Sequence, residues 1–255
     1  MSCYSERFGS GSELVLLHGW GLHGGLWGEF AEQLANQFTV TAIDLPGHGY
    51  SQPSESNLTV ESMTDAVSNT LATLNGPATI LGWSLGGFVA LELARLFPQR
   101  FNRLVWIAGT PSFVRRTDWP MGMVPETLAG FADGLKQDYR TTLKRFISLN
   151  SGKSGDRALL KAMQDRVFDR GEPTMATLDQ GLAILRDCDA REHLAATAQP
   201  MLVVQGSGDR LVHPDTVDGI RALRDIDTCL VEGAGHAPFL AQPAMVVKAI
   251  TEFVR

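Results

Sequence analysis

The chain has little cysteine. Its three thiols, Cys3, Cys188 and Cys229, are far apart and show no CxxC spacing. An odd, sparse set is no disulfide framework, so reduced thiols in a cytoplasmic protein are expected. No Cys/His cluster has metal-ligand spacing, so no metal and no cofactor is expected. No apolar run is long enough to span a bilayer. The first residues carry neither a basic nor an apolar signal region, and no signal peptide is expected. Basic charge is also in deficit: the 255 residues carry a net charge of -6, which argues against nucleic acid as the main partner. What is abundant is apolar side chain, 44% of the residues against 20% charged, enough to bury a sizeable core.

Short apolar runs alternate with helical spacing. Leu14–Leu17, Phe38–Ile43, Ala78–Leu81 and Arg103–Ala108 read as strands, the first continuously apolar, as in a parallel sheet covered on both faces. Between them lie helical patterns at Leu26–Gln37, Val60–Leu74 and Leu85–Phe97, the last apolar nearly all round and therefore central. The alternation stops at Pro111. Four helical segments follow, near Pro125–Gly134, Asp138–Asn150, Asp156–Arg170 and Thr174–Asp187, punctuated by Gly152, Gly155, Gly171 and Pro173. Strand–helix order resumes with Met201–Val204, Asp215–Leu223, Thr228–Val231 and Pro243–Phe253. The expectation is an α/β fold with a mostly parallel central sheet and helices on both faces, made of residues 1–110 and 188–255 and interrupted by a helical cap over 111–187.

One turn carries the chemistry. Gly82-Trp83-Ser84-Leu85-Gly86 joins a strand to a helix, and Gly-X-Ser-X-Gly in that setting is a nucleophile elbow. A serine needs a general base, and the base needs an orienting acid. The order Ser, Asp, His is completed by Asp209, in the loop after the strand Met201–Val204, and by His236, after the last strand. Catalytic groups in such sheets gather at the carboxyl ends of strands. His18 and His48 sit too early for the base, and His213 too close to Asp209. Asp187, Asp225 and Asp227 are weaker acids, since none follows a clear strand end. The N–H of Leu85 and that of Trp20, in the loop His18-Gly19-Trp20-Gly21, are the expected oxyanion donors.

These loops, together with Asp44-Leu45-Pro46-Gly47-His48-Gly49, resemble those of α/β-hydrolases over nearly the whole length. More narrowly, Leu16–Leu22, Asp118-Trp119-Pro120, Leu128-Ala129-Gly130-Phe131, Arg145-Phe146, Gly181–Leu185 and His236–Phe239 are similar to the pimeloyl-acyl-carrier-protein methyl ester carboxylesterases of biotin biosynthesis. That resemblance implies an acyl site formed by Trp20, Ser84, Leu85, the stretch Phe146-Ile147-Ser148-Leu149-Asn150 and His236. The expectation is a monomeric serine carboxylesterase acting on an ester borne by acyl-carrier protein. Alternatives are a broad short-chain esterase, a lipase, a carbon–carbon bond hydrolase, or a non-catalytic ligand-binding protein of the same fold. Between Arg140 and Arg170 lie eight basic and three acidic residues, against the sign of the whole chain. With the resemblance, Arg140, Lys144, Arg145, Arg157 and Lys161 are expected to dock the acidic carrier; without it, the same charges read as a solvated helix surface.

Overall fold

The computed structural model describes residues 2–53, 57–74, 76–150 and 157–255, without the side chains of residues 136, 146, 149, 150, 157–160 and 162. Seven strands form one sheet: β1 (Ser5–Gly9), β2 (Ser12–Leu17), β3 (Phe38–Ile43), β4 (Ala78–Trp83), β5 (Phe101–Ile107), β6 (Met201–Gly206) and β7 (Asp227–Val231). Their order is β1-β3-β2-β4-β5-β6-β7, antiparallel only at β1–β3. In β2 every residue after Ser12 is buried, as a parallel strand covered on both faces requires. β1 escapes pattern reading because its side chains alternate between exposed and half-buried and include Glu6 and Arg7, with no apolar run to mark it.

The core helices are α1 (Gly28–Leu34), α2 (Val60–Thr70) and α3 (Leu85–Leu96). α2 begins in a capping box. Thr59 Oγ1 accepts from Ser62 N–H and Ser62 Oγ accepts from Thr59 N–H, an arrangement worth about 1 kcal/mol. α3 is buried from Leu85 to Ala94 against β4 and β5. Its one buried charge, Glu92, is held by Arg95 and by His193 at 3.0 Å.

Between β5 and β6 the chain runs through α4 (Pro125–Gln137), α5 (Tyr139–Asn150), α6 (Arg157–Arg166) and α7 (Met175–Asp187). α4 packs on α5 and α7, and α5 on α6. α8 (Arg191–Ala196), α9 (Thr216–Leu223), α10 (Pro238–Ala241) and α11 (Pro243–Val254) complete the chain.

Polar ties seat the α4–α7 segment on the strand-end loops. His23 Nε2–H donates to the Arg166 carbonyl at 3.0 Å, and Arg166 donates to the Gly25 carbonyl at 2.9 Å. Arg170 donates to both oxygens of the fully buried Asp44 at 3.2 Å and pairs with Glu6. Its guanidinium lies 5.4 Å and 5.3 Å from the ring centres of Tyr4 and Tyr50. Arg166 and Arg170 therefore belong to the seam between segment and sheet, although by sequence they count with the basic stretch.

Candidate active site

Ser84 directly follows β4 and caps α3 with φ 53° and ψ −117°, a conformation that costs a non-glycine residue about 1–3 kcal/mol. Its surroundings hold it there. Ser84 N–H donates to the Ile107 carbonyl at 3.0 Å, and the Ser84 carbonyl accepts from Gly87 N–H at 2.9 Å. A side chain at Gly82 would put its Cβ 2.5 Å from Gly87 Cα, and one at Gly86 would lie 2.5 Å from the Leu17 and His18 carbonyl oxygens. The glycines on either side of the serine thus let strand, turn and helix close on one another.

His236 is fully buried in the loop after β7, its carbonyl accepting from Trp83 Nε1–H at 2.8 Å. Its Nδ1 lies 2.8 Å from Asp209 Oδ2. Asp209, in the loop after β6, is itself fixed: Oδ1 accepts from the N–H groups of Leu211 and Val212 at 2.8 and 3.0 Å, and Oδ2 accepts from Gln205 Nε2–H at 3.0 Å. A carboxylate so engaged can only accept, so His236 carries its proton on Nδ1. Nε2 is left as a basic nitrogen, buried and with no hydrogen-bond partner. Gln205 was not singled out by sequence. Its signal was there, as the lone polar side chain in an otherwise apolar strand.

The loop after β2 brings Gly19 against the serine; a Cβ at Gly19 would lie 3.5 Å from Ser84 Cβ. His18 braces this loop. Its Nε2 accepts from Leu45 N–H at 2.9 Å, so Nδ1 holds the hydrogen and donates to the Gly19 carbonyl at 2.8 Å. Burial pushes its pKa well below the usual histidine value, keeping it neutral. Trp20 follows, almost wholly buried, with its indole Nε1–H donating to the Leu178 carbonyl of α7 at 3.1 Å. Leu85 is the first residue of α3, where the helix offers its N–H no carbonyl one turn back. The two expected oxyanion donors therefore stand in segments that border Ser84. Beside Asp209, a cavity of about 760 Å³ is lined by that residue and by Leu211, Met123, Thr127, Arg115 and Arg210.

The other sequence-derived residues are spread along α5 and α6. Ile147 is fully buried, whereas Ser148 is exposed with its Oγ–H donating to the Lys144 carbonyl at 2.8 Å. The side chains of Phe146, Leu149, Asn150 and Arg157 lie outside the described residues. Lys144, Arg145 and Lys161 are exposed; Arg140 pairs with Glu172 and lies 4.6 Å above the Phe168 ring. All three cysteines are free, and burial pushes the Cys3 and Cys188 thiols up to about 11. Among the described residues no cluster of His, Cys, Asp or Glu could hold a metal ion, and no helix is long and apolar enough to cross a membrane.

A pimeloyl-acyl-carrier-protein methyl ester esterase of Nitrosospira multiformis is 37% identical over 263 aligned residues, covering 100% of this chain and 99% of that protein. The protein of the same name from Nitrosomonas europaea is 40% identical, covering 96% of this chain and 97% of its own length. Among solved structures, an esterase from Exiguobacterium antarcticum superposes with a TM-score of 0.89 over 99% of this chain and 95% of that one. At 23% identity, that likeness is one of fold. The sequence profile of the alpha/beta hydrolase family matches residues 14–249. With an elbow serine, a seven-stranded sheet and a match over nearly its whole length, the chain belongs to the alpha/beta hydrolase family.

Proposed function

We propose that the protein is a serine carboxylesterase that hydrolyses the methyl ester of pimeloyl-acyl-carrier protein, releasing methanol and pimeloyl-acyl-carrier protein, in biotin biosynthesis. The observation that carries the chemistry is the buried 2.8 Å contact between His236 Nδ1 and Asp209 Oδ2, at strand ends that also present Ser84. The substrate follows from the name borne by relatives of 37–40% identity over essentially the whole chain.

In this reading Ser84 Oγ attacks the ester carbonyl carbon while His236 Nε2 takes the hydroxyl proton. The carbonyl oxygen becomes an oxyanion held by the N–H groups of Trp20 and Leu85, each donor being worth about 3 kcal/mol of barrier. His236 returns the proton to the methoxy oxygen and methanol leaves. Water then attacks the acyl-enzyme, giving its proton to His236. Collapse of the second tetrahedral intermediate frees the acid and reprotonates Ser84. Asp209 keeps the imidazole in the productive tautomer and stabilises its cation.

Residues 1–110 and 188–255 act as the hydrolase core, and 111–187 as a cap bearing the acyl and carrier contacts. Trp20, Leu85 and the 146–150 stretch line the acyl site. Arg140, Lys144, Arg145, Arg157 and Lys161 dock the carrier, and the enzyme works as a cytoplasmic monomer. Support for docking is the exposure of Lys144, Arg145 and Lys161 on adjacent helices of an otherwise acidic protein.

The test compares kcat/KM on the carrier-bound methyl ester and on a free methyl ester at low and high salt. Charge-guided docking predicts a preference for the carrier-bound ester that shrinks with salt, and a loss of that preference in Lys144→Glu/Arg145→Glu with the free ester unaffected. Equal rates on both esters, insensitive to salt, would show that the carrier takes no part in substrate recognition.

A further inference from the structure

Gly181 stands near the middle of α7, where glycine is a poor helix former and alanine the best. The reason for its presence is a ring. A Cβ at Gly181 would lie 2.6 Å from Trp20 Cδ1 and 2.9 Å from Trp20 Nε1. The indole therefore turns its Cδ1–Nε1 edge to the α7 backbone, and its Nε1–H reaches the Leu178 carbonyl at 3.1 Å, one turn earlier in the same helix. The next residue of the loop also touches this helix. Gly21, at φ 69°, sits in a close-packed spot: a Cβ there would come 3.3 Å from Leu143 of α5, tighter than ordinary contact, and 3.5 Å from Leu178. The neighbouring strand-end loop meets α7 as well, at Gly47 and Thr177. α7 is thus the floor on which the loop after β2 rests.

We propose that Gly181 is a positioning residue for the oxyanion hole: the space left by its missing side chain seats the Trp20 indole, and through that seat α7 fixes where the Trp20 backbone N–H points. The inference rests on the esterase reading, in which that N–H is an oxyanion donor. It gives α7 a part in transition-state stabilisation as well as in covering the site. A donor acts only if it meets the oxyanion within hydrogen-bonding distance, and a shift on the order of 1 Å in such a group can cost about 100-fold in rate. An added methyl at Gly181 cannot be absorbed by a flexible chain end, because the atoms it meets belong to a rigid ring hydrogen-bonded in place.

The test uses the full-length enzyme with four variants: Gly181→Ala, Gly130→Ala, Trp20→Leu and the double variant Trp20→Leu/Gly181→Ala. Gly130 is a helical glycine of α4 whose Cβ would meet nothing within 4 Å, so it reports the effect of the helix change alone. Rates on a methyl ester are divided by the serine titrated with a fluorophosphonate, and folding is followed by thermal unfolding. The expected result is a folded Gly181→Ala enzyme with kcat down by about 10-fold or more and KM within about 2-fold. That is the signature of an interaction made only in the transition state. Gly130→Ala should keep wild-type kcat. In the Trp20→Leu background the ring edge is gone, and Gly181→Ala should cost no further activity, a non-additivity that marks direct coupling.

Wild-type kcat per titrated serine in Gly181→Ala, or an equal loss in both backgrounds, overturns the inference while leaving the esterase reading intact. If the wild type itself takes no probe and cleaves no ester, the esterase reading fails and this inference falls with it. Should Gly181→Ala not fold, Trp20→Leu alone reads the same seat from the other side: kcat should fall, whatever the change in KM from the lost acyl-site contact, and an unchanged kcat overturns the inference.

Discussion

His236 Nδ1 lies 2.8 Å from Asp209 Oδ2, and the histidine is wholly shielded from solvent. Two backbone N–H groups and Gln205 already fill the rest of the carboxylate, so it cannot turn away from the ring. Asp209→Asn is therefore expected to keep the fold but present an amide N–H or a poorer acceptor to Nδ1, favouring the wrong imidazole tautomer. A fall in kcat of about 10⁴-fold is predicted, read by steady-state hydrolysis of a methyl ester. Gln205→Leu removes one of the three fixing bonds and should cost far less, about 10-fold or under, with KM unchanged.

The backbone at Ser84 gives a stability prediction independent of chemistry. Ser84→Ala and Ser84→Gly should both be inactive, but only glycine relieves the positive φ of 53°. Ser84→Gly is expected to be more stable than Ser84→Ala by about 1 kcal/mol in urea unfolding, the lower end of the strain range for such a residue. Equal stabilities would mean that the elbow stores no strain.

The elbow serine and the proposed base and acid stand out in the sequence because each signal is local: a glycine-flanked serine between an apolar run and an apolar helix, and two loops that follow short strands. β3 matches its expected bounds, Phe38–Ile43, because the apolar run ends abruptly in Asp44 and Pro46. What could not be read was distant or unpatterned. β1 pairs by backbone to β3 and shows no apolar run. Trp20 and Gly181 meet across 161 positions, and nothing in either segment announces the other. Arg166 and Arg170 look like surface charge in sequence; only the folded chain shows Asp44, Gly25 and two tyrosine rings waiting for them. Charge counted along a helix says nothing about which residues turn inward.

Arg170 supplies a third prediction. Asp44 has no solvent exposure and accepts from Gly24 and Tyr50 N–H groups as well as from Arg170. Arg170→Met would leave a buried carboxylate without its counter-charge, a change expected to cost about 3–5 kcal/mol in urea unfolding. Arg170→Lys should recover part of that by keeping the charge while losing the two-pronged contact.

Histidine burial sets the acid limit of stability. The His48 ring is fully buried, with Nδ1–H donating to the Pro46 carbonyl at 3.0 Å and Nε2 unpartnered, and burial lowers its pKa from 6.5 to about 4. In the unfolded chain the ring binds a proton near pH 6.5; in the folded protein it does not until about pH 4. The stability this represents is fully present above pH 6.5 and is lost as pH falls from 6.5 toward 4, up to about 3 kcal/mol. His18, displaced in the same direction by burial, adds to the slope. Urea midpoints measured from pH 7.5 down to 4.5 should fall, and His48→Gln should flatten the decline.

In the proposed reaction Ser84 cleaves the methyl ester of pimeloyl-acyl-carrier protein. The direct measurement incubates the purified protein with that methyl ester and quantifies methanol and the free carboxylate on the carrier. Catalytic release of both in equal amounts is predicted for the wild type, with a loss of about 10⁴-fold or more in Ser84→Ala. Undiminished release by Ser84→Ala, or an intact ester after incubation with wild-type protein that a fluorophosphonate labels at Ser84, would contradict it.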